Sequence, residues 1–201
     1  GTDAGHVRVY QNIGNSWVQL GQDIDGENTD DFSGHSLAIN GEGDRVAIGA
    51  YGNDDNGANA GHVRVYEYND SAWIQLGQDI DGELANDFKG FQVDINQIGD
   101  KIVVGSYGND DNGINSGKTQ VYYFDGNSWI QFGSNIYGAN PNDASGKSVQ
   151  ISGLSNIIAI GAPFNAYNGA NSGQVRVFEF HNGNWVQMGQ DINGESNGDF
   201  S

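Results

Sequence analysis

Apolar and polar residues alternate with a period of two along short stretches that recur through the chain. Val7 and Val9 interleave with Arg8 and Tyr10, and Trp17 and Gln19 interleave with Val18 and Leu20. This pattern predicts half-buried strands over 6–10 and 16–20, because successive side chains leave a strand on opposite faces. Two more strands are predicted at 34–39 (Gly34-His35-Ser36-Leu37-Ala38-Ile39) and at 45–50 (Arg45-Val46-Ala47-Ile48-Gly49-Ala50), with Asn40-Gly41-Glu42-Gly43 turning between them. Asp125-Gly126 and Asn182-Gly183 are hairpin signals, since a type I′ turn needs positive φ at both central positions. No stretch calls for a helix.

The same elements return every 56 residues, in one register with Trp17, Trp73, Trp129 and Trp185. Gly5-His6-Val7-Arg8-Val9-Tyr10 becomes Gly61-His62-Val63-Arg64-Val65-Tyr66, then the looser Gly117-Lys118-Thr119-Gln120-Val121-Tyr122 and Gly173-Gln174-Val175-Arg176-Val177-Phe178. Lettering the strands A (34–39), B (45–50), C (6–10, 62–67) and D (16–20, 72–76) gives a unit the size of a propeller blade. The expected fold class is therefore all-β, a β-propeller of four-stranded antiparallel blades, with an incomplete ring in this chain. Residues 1–33 would supply C and D of a first blade plus a connection, followed by blades at 34–89, 90–145 and 146–201. The four tryptophans are expected to fill equivalent, buried places between blades. Because the chain opens on C and D and stops before a strand A, it is expected to belong to a longer polypeptide or to take strands from a partner.

Composition narrows the partners. Eight Lys+Arg against 26 Asp+Glu leave a formal charge of −18, which argues against nucleic acid and anionic membranes. No apolar run approaches the length of a membrane span, and no cysteine offers a disulfide, a thiolate ligand or a nucleophile. The 32 glycines with only 2 prolines suit turn-rich β structure.

Phe32-Ser33-Gly34 and Phe88-Lys89-Gly90, together with Ile160-Gly161-Ala162-Pro163 and the imperfect Gly49-Ala50-Tyr51 and Gly105-Ser106-Tyr107, resemble the "FG" and "GAP" corners of FG-GAP-like repeats. These repeats build the propeller of integrin α-subunits and of many secreted microbial and algal proteins. The resemblance covers the whole chain as a pattern. It implies blades of a calcium-supported, extracellular propeller used for adhesion or recognition, usually without catalysis. The family's calcium loop, an Asp-rich D-x-D-x-D-G between A and B, has no counterpart here. That connection reads Asn40-Gly41-Glu42-Gly43-Asp44, Asn96-Gln97-Ile98-Gly99-Asp100 and Gly153-Leu154-Ser155-Asn156, so the family's metal residues do not carry over.

Acids gather instead in two other loops per unit. The D-to-A loop holds Asp23, Asp25 and Glu27, then Asp79, Asp81 and Glu83. The B-to-C loop holds Asp54 and Asp55, then Asp110 and Asp111. In a four-stranded meander both loops emerge on one face. The third unit loses both sets together, reading Asn135-Ile136-Tyr137-Gly138-Ala139 and Asn165-Ala166-Tyr167-Asn168. Joint loss points to one shared task, the simplest being a calcium ion held by carboxylate and carbonyl oxygens. The competing reading is that the loops are solvated turns that use Asn, Asp and Gly for their geometry.

Catalysis finds little support. Gly34-His35-Ser36-Leu37-Ala38 is strand A, not a nucleophile elbow. His6 and His62 share a register with Lys118 and Gln174, which suits an exposed strand start. The expected function is a non-enzymatic, secreted or cell-surface module for adhesion, recognition or assembly. Its expected partners are another protein or glycan at the cell surface, with self-association or the rest of a longer chain completing the ring. The alternative is a carbohydrate-binding, lectin-like propeller.

Overall fold

Strand B is apolar on both faces, and its burial organises the molecule. In a computed structural model, which describes residues 1–200, Val46, Ala47 and Ile48 are all buried, as are Ile102, Val103 and Val104 one unit later. A strand buried on both faces must lie between two other layers. Nineteen strands form among the described residues, and no helix.

The first 33 residues make two small pairs. β1 (His6–Val7) pairs with β4 (Ile24–Asp25), and β2 (Tyr10–Ile13) pairs with β3 (Ser16–Gln19). The next sheet runs β5 (Ser36–Ile39), β6 (Arg45–Ala50), β7 (His62–Tyr68), β8 (Trp73–Gln75), with β9 (Ile80–Asp81) paired onto β7. The same order repeats in β10 (Lys89–Ile95), β11 (Lys101–Ser106), β12 (Lys118–Phe124), β13 (Trp129–Gln131) and β14 (Ile136–Tyr137). It repeats again in β15 (Ser148–Ile151), β16 (Ile157–Ala162), β17 (Gln174–His181), β18 (Asn184–Gln187) and β19 (Ile192–Asn193). All pairings between named strands are antiparallel. The fold is all-β, built of successive antiparallel sheets with no closed barrel.

Two connections differ from the sequence expectation. The D-to-A stretch is not a free loop: Ile80 and Asp81 fold back as a fifth, two-residue strand opposite Val63 and His62. And Asp125-Gly126 does not make a two-residue turn, because Phe124 pairs with Trp129 and leaves four residues between them. There the Asp125 carboxylate accepts the Asn127 and Ser128 amides, closing a wider loop. Asn182 and Gly183 do make the two-residue turn, with φ of 48° and 87° between paired His181 and Asn184.

Sheets stack through three apolar layers. Val7, Ile24, Val46, Ile48, Tyr66 and Trp73 fill the first. Val63, Val65, Val93, Ile102, Val104 and Trp129 are central to the second. Val103, Val121, Ile151, Ile158, Ile160 and Trp185 form the third. Three of the four tryptophans are buried as expected; Trp17 is not, and stands 71% exposed because no sheet covers its side of β3. The FG and GAP corners meet between sheets. A Cβ on Gly49 would lie 2.0 Å from the Gly90 carbonyl oxygen, so only glycine permits the approach, and Phe88 stacks on Tyr107 with ring centroids 5.0 Å apart.

Candidate functional site

Each B-to-C turn is laced against the D-to-A stretch that follows it. Asn56 Nδ2 donates to the Gly82 carbonyl at 3.0 Å, Asn112 to Gly138 at 2.8 Å, and Asn168 to Gly194 at 2.8 Å. The glycine is required there, since a Cβ on Gly82 would fall 2.0 Å from the Ala60 carbonyl oxygen. The two acidic loops are therefore neighbours on one face, as the meander predicts.

The ten predicted carboxylates do not behave alike. Asp54 Oδ1 accepts the Asn59 amide and Asp110 Oδ1 the Asn115 amide, both at 2.7 Å, so these two cap their own turns. Asp23 is gripped by Arg8, whose Nε and Nη2 donate at 2.9 and 2.7 Å, and by Gln19. Hydrogen bonds from Arg8 and then Gln19 hold its carboxyl down at about 2. Asp25 is exposed on β4, and its backbone carbonyl accepts Arg64 Nη2 at 3.1 Å. Glu27 Oε1 lies 3.0 Å from Arg64 Nη1. Glu83 and Asp111 both hold the Lys118 ammonium, at 2.9 and 3.1 Å.

Asp55, Asp79 and Asp81 lack such a basic partner. Gln75 donates to Asp79, and Asp55 takes up an Asn53 contact at the turn. Asp81 Oδ1 is buried with no hydrogen-bond partner. Burial first, then the charges of Asp79 and Asp55, push the Asp81 carboxyl up. Like charges held together in a partly desolvated place are the electrostatic signature of a cation site or of a carboxyl that stays protonated.

One register position separates the units. At the start of strand C stand His62, Lys118 and Gln174. Lys118, fully buried, delivers its ammonium between Glu83 and Asp111. Gln174 Nε2 donates to Asp191 Oδ2 at 3.1 Å and Asn193 Oδ1 at 3.0 Å. His62 is 1% exposed, and its Nδ1 has no hydrogen-bond partner; the nearest acidic atom, Asp79 Oδ2, is 3.9 Å away. Burial and then Arg64 push its imidazole below the usual histidine range, favouring the neutral ring.

The exposed strand start expected for His62 is thus wrong for this copy, although His6 is exposed. The strand begins beside the preceding D-to-A stretch, whose Glu27 lies close to His62. Lys118 at the same register gave no signal of this burial, because a buried lysine and an exposed one look alike in sequence. Lys89 is likewise buried, with its Nζ 2.9 Å from both the Asp81 carbonyl oxygen and the Tyr122 hydroxyl.

Residues 23–66 match the FG-GAP repeat. No curated protein sequence matches the chain. Among solved structures, a provisionally named 6-phosphogluconolactonase from Bacteroides uniformis superposes with a TM-score of 0.59 at 10% identity, over 92% of this chain and 47% of that one. A second, from Bacteroides fragilis, gives 0.58 at 10% identity, over 85% and 41%. At that identity the likeness is one of fold, and the chain spans less than half the length of either. Its acidic stretch Asp23 to Glu27, its Phe32-Ser33-Gly34 corner and its Gly49-Ala50-Tyr51 corner all lie inside the matched segment, so the match to an FG-GAP repeat falls on the residues that carry the resemblance.

Proposed function

We propose that the chain is part of a β-propeller whose sheets are its blades, and that it is a non-enzymatic module for recognition, adhesion or assembly at the cell surface. The observation that carries this reading is the laced pair of acidic loops repeated on one face, with carboxylates left unpaired around Asp81 in the first complete sheet. Calcium is the cation those oxygens suit, since it takes carboxylate and carbonyl ligands in flexible numbers. FG-GAP-like repeats support the extracellular setting. The naming of the two structural neighbours as 6-phosphogluconolactonases stays with those proteins.

A carbohydrate-binding role has one feature in its favour. A cleft of about 580 Å³ is lined by Asn140, Asn142, Phe164, Tyr167 and Asp191, in the unit that has lost its acidic loops. Exposed aromatic faces flanked by amides and a carboxylate are the chemistry that holds a sugar ring.

The test is binding of the chain to a glycan array and to immobilised chain, each with calcium and with EGTA, beside an assay for 6-phosphogluconolactone hydrolysis. Calcium-dependent self-association without glycan hits is the expected result. Glycan hits lost on Tyr167→Ala would establish the carbohydrate reading instead, and lactone turnover would overturn the non-enzymatic one.

A further inference from the structure

We propose that His62, Glu27 and Asp79 form a binding site for a zinc-class divalent transition-metal ion, which shares two carboxylates with the oxygen-only calcium reading of the acidic loops but adds an imidazole nitrogen. One ligand atom from each of the three lies within 4.8 Å of the others. His62 Nδ1 and Asp79 Oδ2 are 3.9 Å apart, too far for a hydrogen bond. Two ligands of one tetrahedral ion at bond lengths of ~2.0–2.1 Å stand roughly 3.3 Å apart. A contraction of well under an ångström would bring this pair to that spacing.

His62 supplies the independent reason to look for a ligand. It is 1% exposed, its Nδ1 has no partner and lies 3.9 Å from Asp79 Oδ2, and the ring shares its cluster with a second carboxylate, Glu27. A buried ring nitrogen without a hydrogen bond calls for an explanation. An imidazole nitrogen with two carboxylate oxygens suits zinc and its neighbours, whereas calcium takes oxygen. Glu27 and Asp79 remain 39% and 27% exposed at their side chains, which leaves a path from solvent and room for a water ligand.

The charges close. Arg64 Nη1 takes Glu27 Oε1 at 3.0 Å, so Glu27, Asp79 and Arg64 together carry one net negative charge before an ion enters. Asp81, opposite His62 in the β7–β9 ladder, adds a further carboxylate whose Oδ1 is unpartnered. The next unit shows what fills the place when no imidazole is present. Lys118, at the register of His62, sets its ammonium on Glu83, at the register of Glu27. A side-chain cation there does what the metal would do here. In the third unit Gln174 meets a neutral and an acidic group, and Ala139 replaces the glutamate.

The experiment uses the 201-residue chain freed of metal and titrated with Co²⁺ and Zn²⁺, reading Co²⁺ d–d absorption and zinc affinity by competition with a chromophoric chelator. One equivalent is expected, undisplaced by millimolar calcium. Asp79→Asn should weaken it by at least about 100-fold, since even outer-shell changes cost roughly 10–100-fold. His62→Lys should abolish binding with an unchanged circular dichroism spectrum, because Lys118 already fills that position in the next unit. Replacing His6, His35 and His181 together by Gln should leave binding intact. Absence of d–d bands, retention of binding in His62→Lys, or its loss in the triple variant would overturn the site. The Co²⁺ and Zn²⁺ titrations themselves are run without calcium, so a failed calcium response would leave their result standing.

Discussion

Trp129 Nε1 donates to the Leu76 carbonyl at 2.7 Å, so the indole of one unit is bonded to the backbone of the unit before it. Trp73 does the same to Leu20 at 2.8 Å and Trp185 to Phe132 at 3.0 Å. Gln22 and Gln78 tighten the first two joints by bonding both backbone groups of Trp73 and Trp129. Each indole thus adds a directional bond to the apolar layer it fills. Trp129→Ala should cost about 3–5 kcal/mol, and Trp129→Phe should lose at least the ~1 kcal/mol of its hydrogen bond. Trp17→Ala, at an exposed site, should change stability by less than about 0.5 kcal/mol. Urea denaturation of the three variants checks this, and equal losses at Trp17 and Trp129 would contradict the assigned joint.

The exposed apolar residues of the first 40 should drive association. Tyr10, Trp17, Leu37 and Ile39 are exposed, whereas their counterparts 56 residues on, Tyr66, Trp73, Val93 and Ile95, are buried against a neighbouring sheet. An apolar sheet surface of this kind seeks a cover. Sedimentation velocity should show concentration-dependent oligomers, reduced by Leu37→Glu with Ile39→Glu. A monomer at tens of micromolar would refute it.

Much of this architecture was legible in the sequence, because sheet burial writes itself as period-two alternation and the repeat multiplies the signal. Val46-Ala47-Ile48 read as a strand, and the Trp register marked the joints. The fifth strand at Ile80–Asp81 was not legible, since two residues are too few to show a period and the neighbouring Asp and Gly look like a turn. The candidate site was half legible. Repetition exposed the acidic loops, but pairing is a tertiary fact. Nothing in Asp23 or Glu83 announces Arg8 or Lys118, and nothing in His62 announces its burial.

Lys89 should make stability rise with pH on the alkaline side. Burial lowers its ammonium to about 8 in the folded chain, against an ordinary value of about 10.4 when unfolded. Between those values the unfolded chain binds more protons, so unfolding free energy increases with pH; below pH ~8 both states are protonated and the cost is constant. Residues 33 and 145, at the same register, are serine, which makes Lys89→Ser the natural reference. The wild-type minus variant difference should climb by about 2–3 kcal/mol from pH 8 to 10.5, at ~1.36 kcal/mol per unit. Parallel curves for the two proteins would show that the lysine titrates normally.

Calcium should raise the melting temperature, and the effect is expected in the first complete unit. There Asp55, Asp79 and Asp81 repel one another, with the Asp81 carboxyl held up by burial and by both neighbours. In the second unit Lys118 already satisfies Glu83 and Asp111, which leaves less for a cation to relieve. In zinc-free buffer, free calcium at ~100 times its dissociation constant should add about 2.7 kcal/mol for one site that binds only the folded state. Asp55→Asn should remove that gain and Asp111→Asn should preserve it. Asp54 and Asp110 are unsuitable probes, because each caps its own turn and its loss would destabilise the loop with or without metal. Identical melting curves in calcium and in EGTA would mean that these carboxylates are solvated turns, and that Asp81 relieves its crowding by taking up a proton.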